Sequence, residues 1–321
     1  IAVATLALNA GSALALVSEQ EAAKLGKQLT PVGAERSGNA DGSIPEWAGG
    51  MTTPPAGYRG EGSTRIDPFA DEQPLFTIDA GNYLQYADKL SAGQKALFEK
   101  YPDTFNMPVY QTHRTAAAPQ WVYDKTKANA TRSELSGGGD GVVKAYGGYP
   151  FPIPQNGHEA IWNHTLRWLG EGVNKNYRHL TVYPNGEVSM GEGQLWETYP
   201  YYDAKGDLTT FKGNILNLIV QYNLPVRRKG ELILVRDPVN AVSTPRQAWQ
   251  YIPGQRRVRR APTIAYDTPN GAFAGQATYD DAFMWNGSPD RYDWELVGKK
   301  ELYIPYNNNG LLAAAEKGDA E

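Results

Sequence analysis

The chain has 321 residues, a formal net charge of -4, and 41% hydrophobic residues. That length suits two ordinary domains or one large one with a full apolar core. The charge excludes a nucleic-acid binder that works through overall charge. The absence of cysteine excludes disulfides, thiol catalysis, cysteine metal sites and an acylated-cysteine anchor. With 34 Gly, 22 Pro, 20 Tyr and 8 Trp, the composition favours a turn-rich β protein over a helical bundle.

Residues 1–15, IAVATLALNAGSALA, form a short apolar run ending in Ala13-Leu14-Ala15. This is the pattern of a secretory signal peptide, and it predicts a soluble, unlipidated protein of the bacterial periplasm. Residues 16–75 read as an N-terminal helix and an extended arm. Ser18 is the expected N-cap, with Glu21 at the capping-box position. From Thr30 to Gln73 the chain is rich in Gly, Pro, Asp and Thr and lacks a sustained period. Trp47, Tyr58 and Phe69 are its expected anchors to a surface. No later segment is long and apolar enough to cross a membrane.

Residues 76–149 read as a helical segment. One helical stretch covers 79–101, with a break at Ser91-Ala92-Gly93 and a stop at Pro102. A second helix is expected from Gln120 to Leu135, ended by Gly137-Gly138-Gly139. The spacing of that glycine run, with no Lys-Ser/Thr behind it, argues against a phosphate loop. Asn156 then caps a third helix. Its apolar stripe contains Ile161, Trp162, Thr165, Leu166, Trp168 and Leu169, and Gly170 closes it.

Beyond this point the period changes to two. Tyr177–Tyr183 and Glu187–Tyr199 flank Pro184-Asn185-Gly186 as a hairpin. Asn214–Leu224 alternates Leu216, Leu218, Val220 and Tyr222 against polar residues, and Glu231–Arg236 is a further strand. In RQAWQYIPGQRRVRRAP (246–262) a turn centred on Pro253-Gly254 makes a second hairpin. Trp249 then faces Val258, Tyr251 faces Arg256, and Gln250 faces Arg257. Short links between these strands predict an antiparallel meander, covered by the tryptophan-rich helix. The segment Gly271–Asn307 reads as an aromatic-acidic loop and one more strand, and residues 307–321 as a tail.

The four histidines, at 113, 158, 164 and 179, lack metal-site spacing, and no cofactor motif is present. No G-x-S-x-G elbow or S-x-x-K pair marks a serine hydrolase. Asp280, Asp281, Asp290 and Asp293 lie near Trp285, Tyr292 and Trp294. Two acids beside an aromatic platform suit a glycan hydrolase, but a loop held by Asx-turns and Asp–Arg pairs is the preferred reading, since acids and turns are common partners. The four arginines at 256, 257, 259 and 260 suit a solvated face, an anion or lipid-headgroup site, or a protein contact.

Several blocks resemble a known family: LTPVGAERSGNADGSIPEWAGG, DPFADEQPLF, PFPIPQNGHEAIWNHTLRW, and W-x-Y-x-x-G-Q-R-R-V-R-R-A-P followed by GAFAGQATYDDAFMWNGSPDRYDWELVGKKELYIPY. They are similar to the proteobacterial family called domain of unknown function 1329. More remotely, the hairpin and the loop after it resemble outer-membrane lipoprotein-sorting proteins of the LolA/LolB type. The resemblance implies an α+β fold in which residues 150–306 form a strongly curved antiparallel sheet, an incomplete β-barrel covered by helices and able to hold acyl chains. It also implies an RND-type exporter and an outer-membrane partner protein. It carries no catalytic residues. Lacking cysteine, this chain would act as a soluble shuttle or a docked subunit. Family members continue past Ile304-Pro305-Tyr306, so the chain is expected to be shorter than its relatives.

These readings combine into a non-enzymatic periplasmic protein that binds a lipid or another hydrophobic ligand for an envelope export system. Trp162, Leu166, Leu216, Leu218, Val220, Tyr222, Trp249 and Tyr251 are expected to line the concave side. Arg256 and Arg260 would meet an anionic head at its rim, and Arg257 and Arg259 would face a partner. The alternatives are an adaptor subunit that binds no ligand, and an envelope-glycan hydrolase.

Overall fold

The computed structural model describes residues 17–60 and 62–317. The apolar run at 1–15, read as a signal peptide, lies outside the described residues. The first helix, α1 (Glu19–Ala22), is capped by Ser18, whose Oγ accepts from the Glu21 amide at 3.2 Å. From 23 to 75 the described residues form neither helix nor strand.

Strand β1 (Phe76–Ile78) pairs antiparallel with β2 (Met107–Val109). Between them the expected helical stretch divides into a 3-10 turn (Tyr83–Lys89) and α2 (Ala92–Lys100). Ser91 is extended and makes a reciprocal capping box with Gln94, so a new helix starts there. Ile78, Leu90 and Phe98 form the small core of this unit.

Helix α3 (Gln120–Ala130) stops five residues short of the expected Leu135. The buried Asn129 near its end donates to the Gly148 carbonyl at 3.1 Å and accepts from Arg132 at 2.8 Å. Glu134 and Leu135, expected to be helical, instead belong to β3 (Glu134–Ser136), paired with β4 (Gly141–Val143). The glycine run is the turn between them, with Gly138 at φ 75°, a conformation that suits glycine. Helix α4 (Gly157–Thr165) is capped by Asn156, whose Oδ1 accepts from the Glu159 amide at 3.0 Å.

The remaining strands are β5 (Gly172–Val182), β6 (Val188–Thr198), β7 (Asn214–Leu224), β8 (Leu232–Pro238), β9 (Gln247–Ile252) and β10 (Arg257–Arg260). They form one six-stranded antiparallel meander in chain order. The sheet is not closed into a barrel, and β5 and β10 are its edges. One face is covered. Trp162 of α4 and Leu166, at its C-cap, pack against Leu216, Tyr201 and Tyr202; the expected helix thus ends at Thr165, before Trp168 and Leu169. The other half of that face is covered by the segment after β10, whose Ile264 joins Tyr222, Ile233, Val235 and Ala248. Thus one helix and one irregular segment share the cover.

The strand expected within Gly271–Asn307 is absent: this stretch forms short turns and extended chain. Its backbone bonds go elsewhere, Tyr303 donating to the Lys89 carbonyl at 3.0 Å and accepting from Gln94 at 2.8 Å. The expected tail contains α5 (Asn309–Lys317). Among the described residues no helix is long and apolar enough to cross a membrane.

Candidate functional site

The strand register divides the residues expected to line one surface. Leu218 pairs with Val235, and Val235 with Ala248. Paired residues share a face, so Leu216, Leu218, Val220, Tyr222, Ile233 and Val235 lie on the covered side with Ala248. Ile219 pairs with Leu234 and Leu234 with Trp249. Trp249, Tyr251, Val258 and Arg260 are therefore on the opposite side.

The expectation that Trp249 and Tyr251 share a surface with Leu216 does not hold in the fold. The physical reason is the close approach of the covering segment. The Ala261 amide donates to the Ala248 carbonyl at 2.9 Å and extends the β9–β10 ladder by one pair; the chain then turns, and Ile264 packs onto the face that carries Ala248. The small Ala248 faces that cover, and the large Trp249 goes to the other side. From the pattern of β9 alone, the aromatic positions were the natural inward choice.

The turn also differs from expectation. Pro253–Gln255 form a 3-10 turn, and the left-handed φ falls on Arg256 (49°) rather than on Gly254. The pairs are Ile252 with Arg257, Tyr251 with Val258, Gln250 with Arg259 and Trp249 with Arg260. A shift of two residues preserves the alternation for β10. It removes Arg256 from the sheet. Arg257 and Arg259 alternate toward the covered side of the sheet, yet both are exposed because β10 is an edge.

Under α4 little space remains. Trp162 is buried and its Nε1 donates to the Gly139 carbonyl at 2.8 Å. The void lined by Leu166, Leu216, Tyr202 and Phe283 has about 30 Å³. Tyr201 and Tyr202 fill the space, and burial raises both hydroxyls well above the ordinary tyrosine value. Glu197 lies on the same face, accepting from Lys175 at 2.8 Å and from Tyr199 at 2.6 Å. Trp162, Leu166 and Leu216 are core residues here.

The large cavity lies elsewhere. A cleft of about 1010 Å³ runs between residues 43–47 and 67–76, the segment 106–118, and residues 301–311. Ile44, Phe69, Met107, Val109, Tyr110, Ile304 and Leu311 line it. Leu75, Tyr110, Ile304 and Leu311, also in its lining, are 64, 46, 65 and 62% exposed, so this apolar surface is open to an occupant.

The walls are built by long-range contacts. Trp47 Nε1 donates to the Ala116 carbonyl at 3.0 Å, and the Met51 amide to the Thr115 carbonyl at 2.9 Å. Phe69 stacks on His113 with ring centroids 3.8 Å apart, and His113 Nε2 lies 2.7 Å from Glu72. The Arg114 guanidinium donates to the carbonyls of Glu35 at 2.5 Å, Arg36 at 3.0 Å and Pro45 at 3.2 Å. Tyr306 joins Thr115 through its hydroxyl.

At one margin Lys89 lies 3.2 Å from Asp41 and 3.5 Å from Glu301. Hydrogen bonds from Ser43, then Lys89, hold the Asp41 carboxyl well below its ordinary range. Most charged groups of the walls thus have protein partners. A mainly apolar surface, whose charged members such as Glu72, Lys89, Arg114 and Glu301 are engaged within the protein, suits a hydrophobic or amphiphilic guest. The sequence pointed to Trp47, Tyr58 and Phe69 as anchors; Trp47 and Phe69 are in the lining, and Tyr58 is an exposed residue outside it. It did not show that ELYIPY (301–306) completes the same cleft.

Among the acids of the aromatic loop, Asp281 has a hydrogen-bond role within the loop: its carboxylate accepts from the Thr278 amide at 2.6 Å. The loop arginine Arg291 pairs at 3.2 Å with Asp267 rather than with Asp290 or Asp293. Trp285, Tyr292 and Trp294 pack edge to face, with centroids 5.1 to 6.3 Å apart. Among the described residues no group of three or more His, Asp or Glu side chains is arranged to hold a metal.

The family model described as "Protein of unknown function (DUF1329)" matches residues 77–320. "Uncharacterized protein PA3922" of Pseudomonas aeruginosa is 47% identical over 311 residues, which is 96% of this chain and 68% of the relative. Two solved structures are more distant. A putative outer membrane lipoprotein-sorting protein domain from Vibrio parahaemolyticus has 14% identity and a TM-score of 0.27, over 37% of this chain and 47% of the other. A DUF1329 family protein from Desulfovibrio piger ATCC 29098 has 17% identity and a TM-score of 0.29, over 41% and 49%. Each match spans about half of the solved chain. With three quarters of its length inside the family model and close identity to a relative along nearly all of it, the chain belongs to the DUF1329 family.

Proposed function

We propose that this protein binds a hydrophobic or amphiphilic ligand, of the size of a lipid, in the cleft between residues 43–76, 106–118 and 301–311. The observation that carries the reading is the cleft itself: about 1010 Å³, walled by aliphatic and aromatic side chains. Ligand sites are concave, mostly apolar and of this general size. The site differs from the one the sequence suggested, since the space beneath α4 is filled.

A periplasmic setting is part of the proposal. It is supported by the apolar start and its Ala13-Leu14-Ala15 motif. Service to an RND-type exporter and an outer-membrane partner rests on the family resemblance alone. The protein is proposed to act by binding, without catalysis.

The test is titration of the purified full chain with a fluorescent fatty acid, alongside mass spectrometry of extracted lipid. Saturable uptake is expected, and Ile304→Asp, in the exposed lining, should weaken it about tenfold or more because a carboxylate would be buried against the acyl chain. Leu216→Val, under α4, should leave it unchanged. Failure of the wild-type chain to take up probe, with no lipid in the extract, overturns the reading.

The adaptor reading has one observation in its favour. On the uncovered sheet face Trp196, Ile219, Leu234 and Trp249 form a continuous row across four strands. Ile219 there is 37% exposed. Co-purification of an envelope protein, lost on Ile219→Asp with cleft binding intact, would favour it.

A further inference from the structure

We propose that the corner of the sheet formed by the β7–β8 and β9–β10 turns docks onto an anionic lipid surface. The proposal stands apart from the cleft and does not depend on it.

The two turns are neighbours. Leu232 at the start of β8 pairs with Tyr251 near the end of β9. A Cβ on Gly230 would lie 3.3 Å from the Pro253 ring. The charge at this corner is opposite to that of the molecule. Residues 225–261 contain nine cations (eight Arg and one Lys) and two acids, a balance of +7 in a chain of -4. Both acids are already used: Glu231 accepts two hydrogen bonds from Arg228 at 2.8 Å, and Asp237 pairs with Arg246 at 2.5 Å. Arg227, Lys229, Arg256, Arg257 and Arg259 are exposed and have no carboxylate partner among the described residues. Arg236 and Arg260 lie 5.9 and 5.8 Å from the Trp249 ring centroid.

The β7–β8 turn and strand β10 each expose a valine among these cations. Val226, followed by Arg227-Arg228-Lys229, is 75% exposed. Val258, between Arg257 and Arg259, is 66% exposed. Interleaved cations and protruding apolar groups match a headgroup layer, where guanidinium groups meet phosphates and short apolar side chains reach the acyl boundary. The cations lie on both sides of an edge strand and on two turns. This spread fits a diffuse array of anions better than one carboxylate anchor. Unpaired arginines on an exposed edge also discourage pairing with another sheet, which leaves the corner free for a surface.

The experiment is co-sedimentation of the full chain with vesicles, either phosphatidylcholine alone or phosphatidylcholine with phosphatidylglycerol, at low and high salt. Binding to the anionic vesicles alone, weakening as salt rises, is expected. The triple variant Arg256→Gln, Arg257→Gln, Arg259→Gln should lower it about tenfold or more. Val226→Asp should also lower it with no change in Tm, because the side chain is already in solvent. Fatty-acid uptake by the cleft, measured on the same variants, should be unchanged, so failure of one reading is separable from failure of the other. Equal binding to neutral vesicles, no vesicle binding, or indifference to the triple substitution overturns the proposal. Arginine-dependent retention on polyglutamate without vesicle binding also overturns it and assigns the corner to an acidic protein.

Discussion

The Arg228 guanidinium lies 3.7 Å from the centroid of the Tyr222 ring while closing two hydrogen bonds to Glu231. A turn residue thereby ties the end of β7 to the start of β8. Gln250 on β9 donates to the same carboxylate at 2.6 Å, so three strands meet at one charge. Burial alone would raise the Glu231 carboxyl. The hydrogen bonds from Arg228 and Gln250, with the nearby positive charge, outweigh burial and hold it below its ordinary value.

The stability this pair contributes is present above the unfolded carboxyl value, about 4.3. It is lost as pH falls through the lower folded value. Arg228→Ala should cost about 2–3 kcal/mol at pH 7 and flatten stability between about pH 5 and pH 3 relative to wild type. Urea denaturation at a series of pH values measures both. An unchanged acid limb in the variant would show that Glu231 does not depend on Arg228.

The register predicts an unequal cost for two large-to-small changes. Leu216 is 5% exposed in the cluster beneath α4, and Leu216→Ala should cost about 2–5 kcal/mol. Trp249 is half-buried on the uncovered face, with Arg236 and Arg260 beside its ring, and Trp249→Ala should cost about 1–2 kcal/mol. Chemical denaturation ranks the two. A larger loss from Trp249→Ala would contradict the pairing of Leu234 with Trp249.

Two glycines of β6 make room for aromatic rings lying across the covered face. A Cβ on Gly193 would come within 2.1 Å of the Gln221 carbonyl and 2.7 Å of the Tyr177 hydroxyl. On Gly191 it would lie 1.9 Å from the His179 ring. Gly193→Ala should destabilise by about 1–3 kcal/mol through overpacking. Gly254→Ala, with no atom within 4 Å of the added methyl, should change stability by less than about 0.5 kcal/mol. Thermal melts of the two variants separate steric crowding from the general effect of replacing glycine.

Asp280 is buried, and burial raises its carboxyl above the ordinary value despite the pull of Arg246 and Arg291. A raised acid favours the fold when protonated, so its contribution is lost as pH rises through the folded value. Asp280→Asn should therefore raise Tm at pH 7, with a smaller gain near pH 4. Scanning calorimetry at the two pH values checks the sign. A lower Tm at pH 7 would mean that the Asp280 charge is needed to hold Arg246 in place.

The meander was legible because its signals are local. Alternation in Asn214–Leu224, the Pro184-Asn185-Gly186 turn and the caps at Ser18 and Asn156 each concern a few adjacent residues. Helix ends were harder. The break expected at Ser91-Ala92-Gly93 is where α2 begins, but the end of α3 was missed, because Arg132 and the carbonyls of residues 146–149 claim Asn129. A local period carries no record of such competition.

The sequence by itself determined the family, the antiparallel order of the strands and the concentration of arginine at 256–260. Each follows from motif, alternation or composition along the chain. The tertiary structure decided which face of the sheet is covered: Ile264, from the segment beyond β10, packs on the face that carries Ala248 and leaves Trp249 on the other, a long-range contact that no local period encodes. It also decided where the large cleft lies. Its walls come from residues near 45, 70, 110 and 305, and only long-range bonds such as Trp47 to Ala116 and Tyr303 to Lys89 bring them together.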